Sequence, residues 1–454
     1  MIDGREIHHR IEPQLRAEWG WLARQTKSSP FLWPEWISAW WDAFGQGELR
    51  IFAVYQDGSP VGVLPLQLLG GVLSSFENLE VPFTGFLVKS ETAARQLLGA
   101  LFSQGAPRID LNFPDYSFVG NREVLISLIR EAAEAAGYEV LTRLAQKVPY
   151  VDLSKTSLEA YESGLRRNFR RNLHRCRRRL EEEGRLTLEV FDGKERLEEL
   201  LEEGFRIEGS GWKDAKGTSI NSSVAKRRFY TEAAQWAAER DWLRLYFLRL
   251  DRRVLAFDYC LEHNEILYMI KGGYDPTYKK FSPSMVQLHL ILARAFSEGL
   301  STCDLGSGFT PWKREWTTAY YELISLSIFA REGWEQDSWY YQIHLAAQEI
   351  AELIPSAEAF ILVDEDNWWI DTGGGRRAIP FPETWDGLYG GPPEDDEEAI
   401  EELERQRQGG ATYMVFGWPA FWWLEYYEGL QRYLRSRFRC LAENERIVVF
   451  DLRE

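Results

Sequence analysis

The sequence predicts a mixed α/β (α+β) fold in which two similar halves, built on mostly antiparallel sheets flanked by helices, precede a small C-terminal α/β module. Two hairpins of apolar strands share one plan, at 49–68 around an Asp57-Gly58 turn and at 243–261. Composition changes near Pro355, where a new alternation of strands and helices begins. The expected organisation is an N-terminal half, a second half, a connecting helix and an accessory module, at 1–145, 146–335, 336–354 and 355–454.

The N-terminal half is predicted to open with an aromatic helix within 31–44. Pro34 suits the first turn of a helix, where its missing N–H group would have no partner in any case. Trp36, Trp40 and Phe44 recur every four residues on one face, so a core-facing helix is favoured over an aromatic groove. The remaining elements are the first hairpin, a strand pair, a strand, a helix and a strand, at 49–68, 72–88, 108–111, 121–137 and 138–144.

The second half begins with a predicted helix at 157–183 that concentrates positive charge. Its apolar face repeats from Leu165 to Leu180, and Gly184 suits its C-terminal end. Its other faces carry eight arginines, Arg166, Arg167, Arg170, Arg171, Arg175, Arg177, Arg178 and Arg179. Two interpretations stay open: a solvated face paired with acids, or a guide for the phosphate of a cofactor, a lipid headgroup or a polyanionic substrate.

The elements that follow centre on the stretch 267–316. An apolar strand at 266–270 leads through a Gly/Pro-punctuated loop, 272–283, into a helix that ends near Gly299. A short strand, 301–305, then opens into Gly306 and Gly308. Helices at 195–209 and 223–239 precede this stretch, and a strand at 321–329 and a helix at 336–353 follow it. The module is predicted to hold strands at 360–363, 413–416 and 447–450 and helices at 397–408 and 422–436.

Composition excludes several classes of function. The net charge of −17 argues against general nucleic-acid binding. None of the four cysteines forms a CxxC pair, so neither a zinc site nor a disulfide framework is indicated, and no metal is expected. The polar N-terminus lacks a signal core, and no apolar run is long enough to span a bilayer. We expect a cytoplasmic protein, with peripheral membrane attachment still open.

Five segments in a fixed order carry a family resemblance. They are FLWPEWISAWWDAFG, VGVLPLQLL, RRNFRRNLHRCRRRLEEEG, GGYDPTYKKFSPS and DLGSGFTPWKREW. Together they closely resemble the CelD/BcsL-type acyltransferases, a branch of the GNAT superfamily related to the FemAB peptidyl transferases, over roughly residues 20–330. The resemblance implies tandem GNAT-like halves, with an acyl-CoA site in the second, and a role among exopolysaccharide or envelope genes. The segment 355–454 resembles an accessory module of bacterial polysaccharide-biosynthesis proteins.

The same resemblance implies where an acyl-CoA co-substrate, acetyl-CoA or another, would bind. Amides at the helix start, from Ser282, Pro283, Ser284, Met285 and Val286, would bind the pyrophosphate, with Arg170 and Arg171 as electrostatic partners. The family's usual Ser-Pro-Gly is Ser-Pro-Ser here. An ordinary helix capped by Ser282 or Ser284 is the alternative.

Four residues are the catalytic candidates. Tyr274 or Tyr278 could donate a proton to the leaving thiolate, with aromatic packing as the alternative. Asp304 could take or orient the proton of the nucleophile, or cap the backbone. Lys313 could contact the acceptor or a phosphate, or lie on the surface. Histidines 263 and 289 are more typical of structural roles.

The acceptor candidates flank these positions, and they are Trp212, Lys213, Gly306, Gly308 and Trp316. The leading hypothesis is N- or O-acetyl transfer from acyl-CoA to a small-molecule or lipid-linked sugar in envelope or exopolysaccharide synthesis. No nucleic-acid partner is expected, whereas contact with a membrane or a polysaccharide-synthesis enzyme stays open. Two alternatives remain: a FemAB-like aminoacyl transferase using charged tRNA, and a catalytically silent binding scaffold.

Overall fold

The computed structural model describes residues 2–76, 78, 85–114, 122–211, 213, 217–306, 308–331, 338–368, 375–384, 387 and 389–453. The helices α1 to α14, in chain order, are Pro13–Gln25, Pro34–Phe44, Glu91–Phe102, Arg122–Ala135, Leu158–Gly164, Arg167–Glu183, Leu197–Glu208, Val224–Glu239, Pro283–Ser297, Pro311–Arg314, Ser338–Leu353, Asp396–Gln408, Trp422–Tyr426 and Glu428–Arg437. None of these helices is long and apolar enough to cross a membrane.

The strands β1 to β18 are Ile2–His8, Glu48–Gln56, Ser59–Leu69, Val72–Ser74, Leu87–Val88, Arg108–Pro114, Tyr138–Asp152, Leu186–Phe191, Leu243–Leu250, Arg253–His263, Ile266–Tyr274, Thr302–Asp304, Tyr320–Ala330, Ala359–Val363, Arg377–Pro380, Tyr413–Gly417, Arg439–Glu443 and Ile447–Asp451. The order in the larger sheet is β1-β2-β3-β4-β6-β13-β7-β12-β11-β10-β9-β8, with β5 paired to β3. The predicted mixed α/β fold is confirmed.

Both predicted hairpins form. Asp57 and Gly58 have φ values of 51° and 71°, which are the left-handed values that a tight turn between β2 and β3 requires. The sequence predicted two strands within 72–88 that pair with each other. In the structure β4 and β5 each pair with β3 instead.

The arginine-rich segment forms two helices, whereas a single helix was predicted. Leu165 has φ −67° and ψ 149°, so the chain is extended between α5 and α6. Leu165 is buried there, and Ser157 caps the first of the two helices. The break directs α6 along α9: Leu173 packs with Leu288 and Leu292, and Leu180 packs with Val286.

Contacts divide the chain into two compact units, 1–104 with 110–132 and 146–323, and 105–109 with 133–145 and 324–454. In the first unit the aromatic face of α2 is a core face, as favoured from the sequence. Trp36 and Trp40 are 0% and 2% exposed. The Trp36 ring lies 5.0 Å from that of Phe229 in α8.

The second unit contains a separate sheet in the order β15-β14-β16-β18-β17. Strand β14 is parallel to β15 and β16, whereas β18 is antiparallel to its neighbours. Val363 and Phe416 face one apolar cluster, and Phe360 and Val415 face another. The predicted strands at 360–363, 413–416 and 447–450 are confirmed, while β15 and β17 were not predicted.

Candidate functional site

The candidate site lies where β12 ends and β11 continues. The two strands pair in parallel from Ile266 with Thr302 to Tyr268 with Asp304. Strand β11 then runs on to Tyr274, and among the described residues only β10 pairs with that part. The segment 269–274 therefore forms an open strand edge, which an extended ligand can contact as a further strand would. Two of its carbonyl oxygens, those of Gly272 and Tyr274, already accept from the side chains of Lys213 and Ser210.

Gly306 sets the width of this opening. It has φ 72°, a conformation that suits glycine, and it turns the chain away from β12. A Cβ at this position would lie 2.7 Å from the Met269 carbonyl oxygen, so only glycine allows so close an approach to β11. Gly308 follows with φ 78°. Of the two predicted glycines, Gly306 thus borders the open edge, whereas a Cβ on Gly308 would lie nearest to Gln146 and Thr310.

Asp304 is buried at the end of β12, with both carboxylate oxygens engaged. Its Oδ1 accepts from the Gly306 N–H at 2.8 Å, and its Oδ2 accepts from the Tyr321 O–H at 2.8 Å. Burial raises the pKa of this carboxyl, although the two hydrogen bonds and the charge of Lys313 oppose that shift. These contacts hold the loop in place, so Asp304 is better suited to orienting its neighbours than to accepting a proton.

Lys313 reaches the same loop from α10. Its side chain is buried, and Nζ donates to the Gly306 carbonyl oxygen at 2.9 Å. Burial lowers the pKa of Lys313 to about 8, helped by the nearby charge of Lys213, while Asp304 opposes the shift. An ammonium group with this pKa can hold or release a proton near neutral pH.

Asp258 is a largely buried carboxyl that sequence reasoning missed. It lies in β10 opposite Gly272 of β11. A Cβ on Gly272 would lie 1.9 Å from Asp258 Oδ1, so the missing side chain makes room for the carboxylate. Burial raises the pKa of Asp258 to about 8, against the attraction of Lys213. The only signal in the sequence was one acid within an otherwise apolar strand, Val254-Leu-Ala-Phe-Asp-Tyr-Cys-Leu261.

Lys213 spans the open edge beside Asp258. Its Nζ donates to the Gly272 carbonyl oxygen and lies 3.1 Å from Glu208 Oε1. Glu208 is buried at the end of α7, and its other oxygen accepts from the Ile220 N–H at 2.8 Å. A Cβ on Gly273 would lie 2.6 Å from the Glu208 Cα, so this glycine permits α7 to approach the strand. The structure thereby brings the predicted Lys213 and Lys313 to the same strand edge.

The start of α9 has free donor capacity. Ser282 has φ 50° and ψ 57°, and no side chain caps the helix. The amides of Met285 and Val286 donate to the Ser282 carbonyl oxygen, and Pro283 has none. Among the described residues, the Ser284 N–H donates to no backbone carbonyl. Ser282 is thus the N-cap residue by position, as the alternative had it, but its side chain forms no capping hydrogen bond.

Two cations contact Phe281, two residues before this helix begins. The Arg179 guanidinium lies 5.1 Å from the centre of the buried Phe281 ring, and Lys280 Nζ lies 4.6 Å from it. Their positive charge adds to the positive end of the helix dipole. This environment suits a phosphate group. Arg179 has the role of electrostatic partner that the sequence analysis assigned to Arg170 and Arg171.

The predicted tyrosines lie near the start of α9. Tyr274 and Tyr278 pack beside the cluster of Phe281 and Val286. The Tyr278 ring lies 4.9 Å from the Arg253 guanidinium, and the Tyr274 carbonyl oxygen accepts from Ser210 Oγ. The structure gives neither phenol a contact with Asp304 or Lys313.

Several other predicted site residues lie away from the open edge. Trp316 is 2% exposed and packs against Phe169, with ring centres 5.0 Å apart, so the prediction that it contacts the acceptor is wrong. Arg170 donates to the Glu162 carbonyl oxygen at 3.0 Å, near His289 of α9, and Arg171 is exposed. Trp212 lies outside the described residues.

The two histidines considered as bases have structural surroundings. His289 Nε2 lies 2.6 Å from Glu162 Oε1 in the buried layer under α6, and burial lowers its pKa. The His263 ring lies 3.9 Å from that of Trp242, and burial lowers its pKa to about 4. Burial thus favours the neutral form of both imidazoles, and the contacts described for them do not include the open edge.

Residues 167–314 match a family described as Acetyltransferase (GNAT) domain. This span begins at α6, ends at α10, and contains the open edge, Lys213, Asp258 and Lys313. No curated protein matches the chain.

Three solved structures resemble the fold over most of the chain. FemX is 14% identical with a TM-score of 0.45, covering 73% of this chain and 99% of its own. The C-terminal domain of a putative lysylphosphatidylglycerol synthetase from Agrobacterium fabrum is 12% identical with a TM-score of 0.46, covering 74% and 97%. A tandem GNAT protein from the clavulanic acid biosynthesis pathway is 9% identical with a TM-score of 0.37, covering 71% and 98%.

Proposed function

We propose that this acyltransferase, whose GNAT domain spans residues 167–314, moves an acyl group from acyl-CoA to an amine or hydroxyl by direct attack on the thioester. One observation carries the proposal. Among the described residues no further strand pairs with β11 from 269 to 274, and Lys213 lies beside this edge together with Asp258, whose pKa is raised, and Lys313, whose pKa is lowered. Perturbed titratable groups that converge on an accessible edge are typical of catalytic sites.

The residues of the second half suit the acyl-CoA molecule. The uncapped start of α9, with the free Ser284 amide and the charges of Arg179 and Lys280, suits its pyrophosphate. The open edge of β11 suits the amide-containing arm between the pyrophosphate and the thioester, because strand edges offer alternating N–H and C=O groups. Helix start and strand edge are consecutive in the chain, linked by the short 3-10 helix Pro276–Phe281.

The transfer needs one proton accepted and one donated. The nucleophile attacks the thioester carbonyl carbon, a C–N or C–O bond forms, and the C–S bond breaks. Asp258, with a pKa of about 8, accepts the proton of the attacking group when ionised. Lys313, also with a pKa of about 8, stabilises the developing oxyanion and supplies the proton that converts the leaving thiolate to free CoA thiol.

The neighbours of these two groups have positioning roles in this scheme. Asp304 holds the Gly306 amide and the Tyr321 hydroxyl, and Gly306 in turn accepts from Lys313. Lys213 is fixed between Glu208 and Gly272, where its charge favours ionised Asp258. Positioning of this kind carries much of the rate when no covalent intermediate forms on the protein.

The acceptor in this proposal is a sugar, free or lipid-linked, from envelope or exopolysaccharide synthesis. Its support is the resemblance to CelD/BcsL-type acyltransferases and that of 355–454 to an accessory module of polysaccharide-biosynthesis proteins. The transferred group is an acetyl or another short acyl chain, on nitrogen or oxygen.

Binding of acetyl-CoA tests the proposal directly. A ligand at a hundred times its Kd adds about 2.7 kcal/mol to the free energy of unfolding, so the melting temperature should rise by several degrees. CoA without its acyl group is the matched comparison. The same titration with charged tRNA covers the aminoacyl-transfer alternative.

The outcomes separate the hypotheses. Stabilisation by acyl-CoA, followed by release of free thiol on addition of sugar acceptors, supports the proposal. Stabilisation by charged tRNA alone would replace it with aminoacyl transfer. A melting temperature unchanged by every acyl-CoA and by charged tRNA would leave a binding scaffold and overturn the acyl-CoA site.

A further inference from the structure

The outer ridge of α6 carries a straight line of arginines. Spacings of three and four residues place them on one helical face, and this arginine stripe consists of Arg167, Arg171, Arg175 and Arg178. All four are exposed, whereas Leu173 and Leu180 on the opposite side are fully buried. At 1.5 Å per residue the stripe is about 16 Å long.

The stripe is poorly neutralised. Within the described residues, its carboxylate contact is between Arg178 and Glu182, at 3.7 Å. Arg175 donates to the amide oxygen of Asn172, and Arg167 and Arg171 form no ion pair there. Exposed arginines elsewhere pair closely, as Arg435 does with Glu443 at 2.6 Å. The first of the two interpretations of these arginines, a solvated face paired with acids, therefore accounts poorly for the stripe.

The short helix α10, which carries an exposed indole, is followed by a residue that pairs with the start of the arginine-rich helix. Arg166, one residue before α6, contacts Glu315 at 3.4 Å, just after α10. Trp312 of that same short helix is 53% exposed. Tryptophan next to clustered basic residues is typical of surfaces that lie at the headgroup level of a bilayer.

We propose that the arginine stripe, with Trp312 beside it, docks the protein onto an anionic lipid bilayer. Phosphodiester headgroups accept hydrogen bonds from the guanidinium groups, and a convex straight ridge can meet a flat surface along its whole length. The chain as a whole carries a charge of −17, so an anionic surface repels its other faces and selects this one. The stripe itself contains none of the groups assigned to acyl transfer, although the Trp312 ring centre lies 5.6 Å from Lys313 Nζ.

Co-sedimentation of the full chain with lipid vesicles tests this proposal. We expect binding to phosphatidylglycerol vesicles at low salt, little binding to phosphatidylcholine vesicles, and release at high salt because screening weakens exposed charges. Replacing two members of the stripe, as Arg167→Gln with Arg171→Gln, should lower the partition coefficient about tenfold or more. The paired control, Arg435→Gln with Arg453→Gln, removes the same charge elsewhere and should leave stripe-dependent binding unchanged.

Melting temperatures and circular dichroism of both double variants establish that they fold. Equal binding to both kinds of vesicle, or equal binding by the stripe variant and the wild type, would overturn the proposal. So would complete release by inorganic phosphate at the same concentration as the lipid phosphate, which would assign the stripe to small anions. Tighter binding to duplex RNA than to the anionic vesicles would likewise overturn it.

Discussion

The two hairpin regions of the first unit share a strand plan and differ in what lies beside it. Beside β2 and β3, apolar side chains fill the neighbouring space. Gly62 pairs with Val88, and a Cβ on Gly62 would lie 2.8 Å from Val54 Cγ2. In β10 and β11 the glycine at 272 makes room for the carboxylate of Asp258. Strand β3 keeps partners through β4 and β5, whereas within the described part of the chain β11 has an open edge after Tyr268.

The difference shows how one backbone plan supports two roles. An apolar hairpin with filled edges buries surface and stabilises the unit. A hairpin with an open edge leaves backbone groups and buried charges accessible to a ligand, at some cost in stability. Three experiments test this contrast.

Replacing Lys313 should have the largest effect. In Lys313→Met the apolar stem remains while the proton donor and oxyanion partner are lost, so we expect turnover to fall about a thousandfold. Release of CoA thiol from acetyl-CoA measures it. The first hairpin region offers a control in Lys89, an exposed lysine whose Nζ lies 3.9 Å from the Trp21 ring centre. Lys89→Met should keep wild-type turnover, and wild-type turnover in Lys313→Met would remove that lysine from the chemistry.

Asp258 should govern the pH dependence. As a base it must be ionised, so the rate rises as pH passes through its pKa of about 8, while Lys313 must be protonated, so the rate falls above about 8. The wild-type profile should therefore be a narrow bell near pH 8, with apparent pKa values that belong to both groups together. Asp258→Asn should lower turnover about a hundredfold and remove the rising limb. A rising limb that survives in this variant would show that another group is the base.

Two glycine substitutions compare the hairpins directly. In Gly272→Ala the new Cβ would displace the Asp258 carboxylate, so we expect turnover to fall about tenfold with a moderate loss of stability. In Gly62→Ala the Cβ would overpack against Val54, which should cost about 1–3 kcal/mol in the free energy of unfolding with turnover unchanged in the folded fraction. Urea unfolding and thiol release distinguish the two. Equal turnover in the two variants would contradict the proposed difference between the hairpins.

The sequence predicted much of the fold because its local signals are strong. Asp57-Gly58 adopts the positive φ values of a hairpin turn, and Pro283 begins α9 as proline does at a first helical turn. Aromatic residues at helical spacing in α2 became core residues. The resemblance to GNAT acyltransferases is supported by the family match over 167–314.

The site was predicted only in part, because its residues meet through long-range packing. Lys213 and Lys313 were named separately, and only the folded chain brings both to β11. Trp316 follows Lys313 by three residues and yet turns into the core against Phe169. Local spacing does not determine which of these side chains faces a ligand.

The sequence by itself determined most of the order of strands and helices, the glycine-rich turn after β12 and the charge of α6, since each depends on neighbours along the chain. Tertiary structure alone decided that β12 stops pairing after Asp304, that Gly272 makes room for Asp258, and that burial brings the pKa values of Asp258 and Lys313 together near 8. Strand register and desolvation are properties of residues distant in sequence, and only folding brings those residues together.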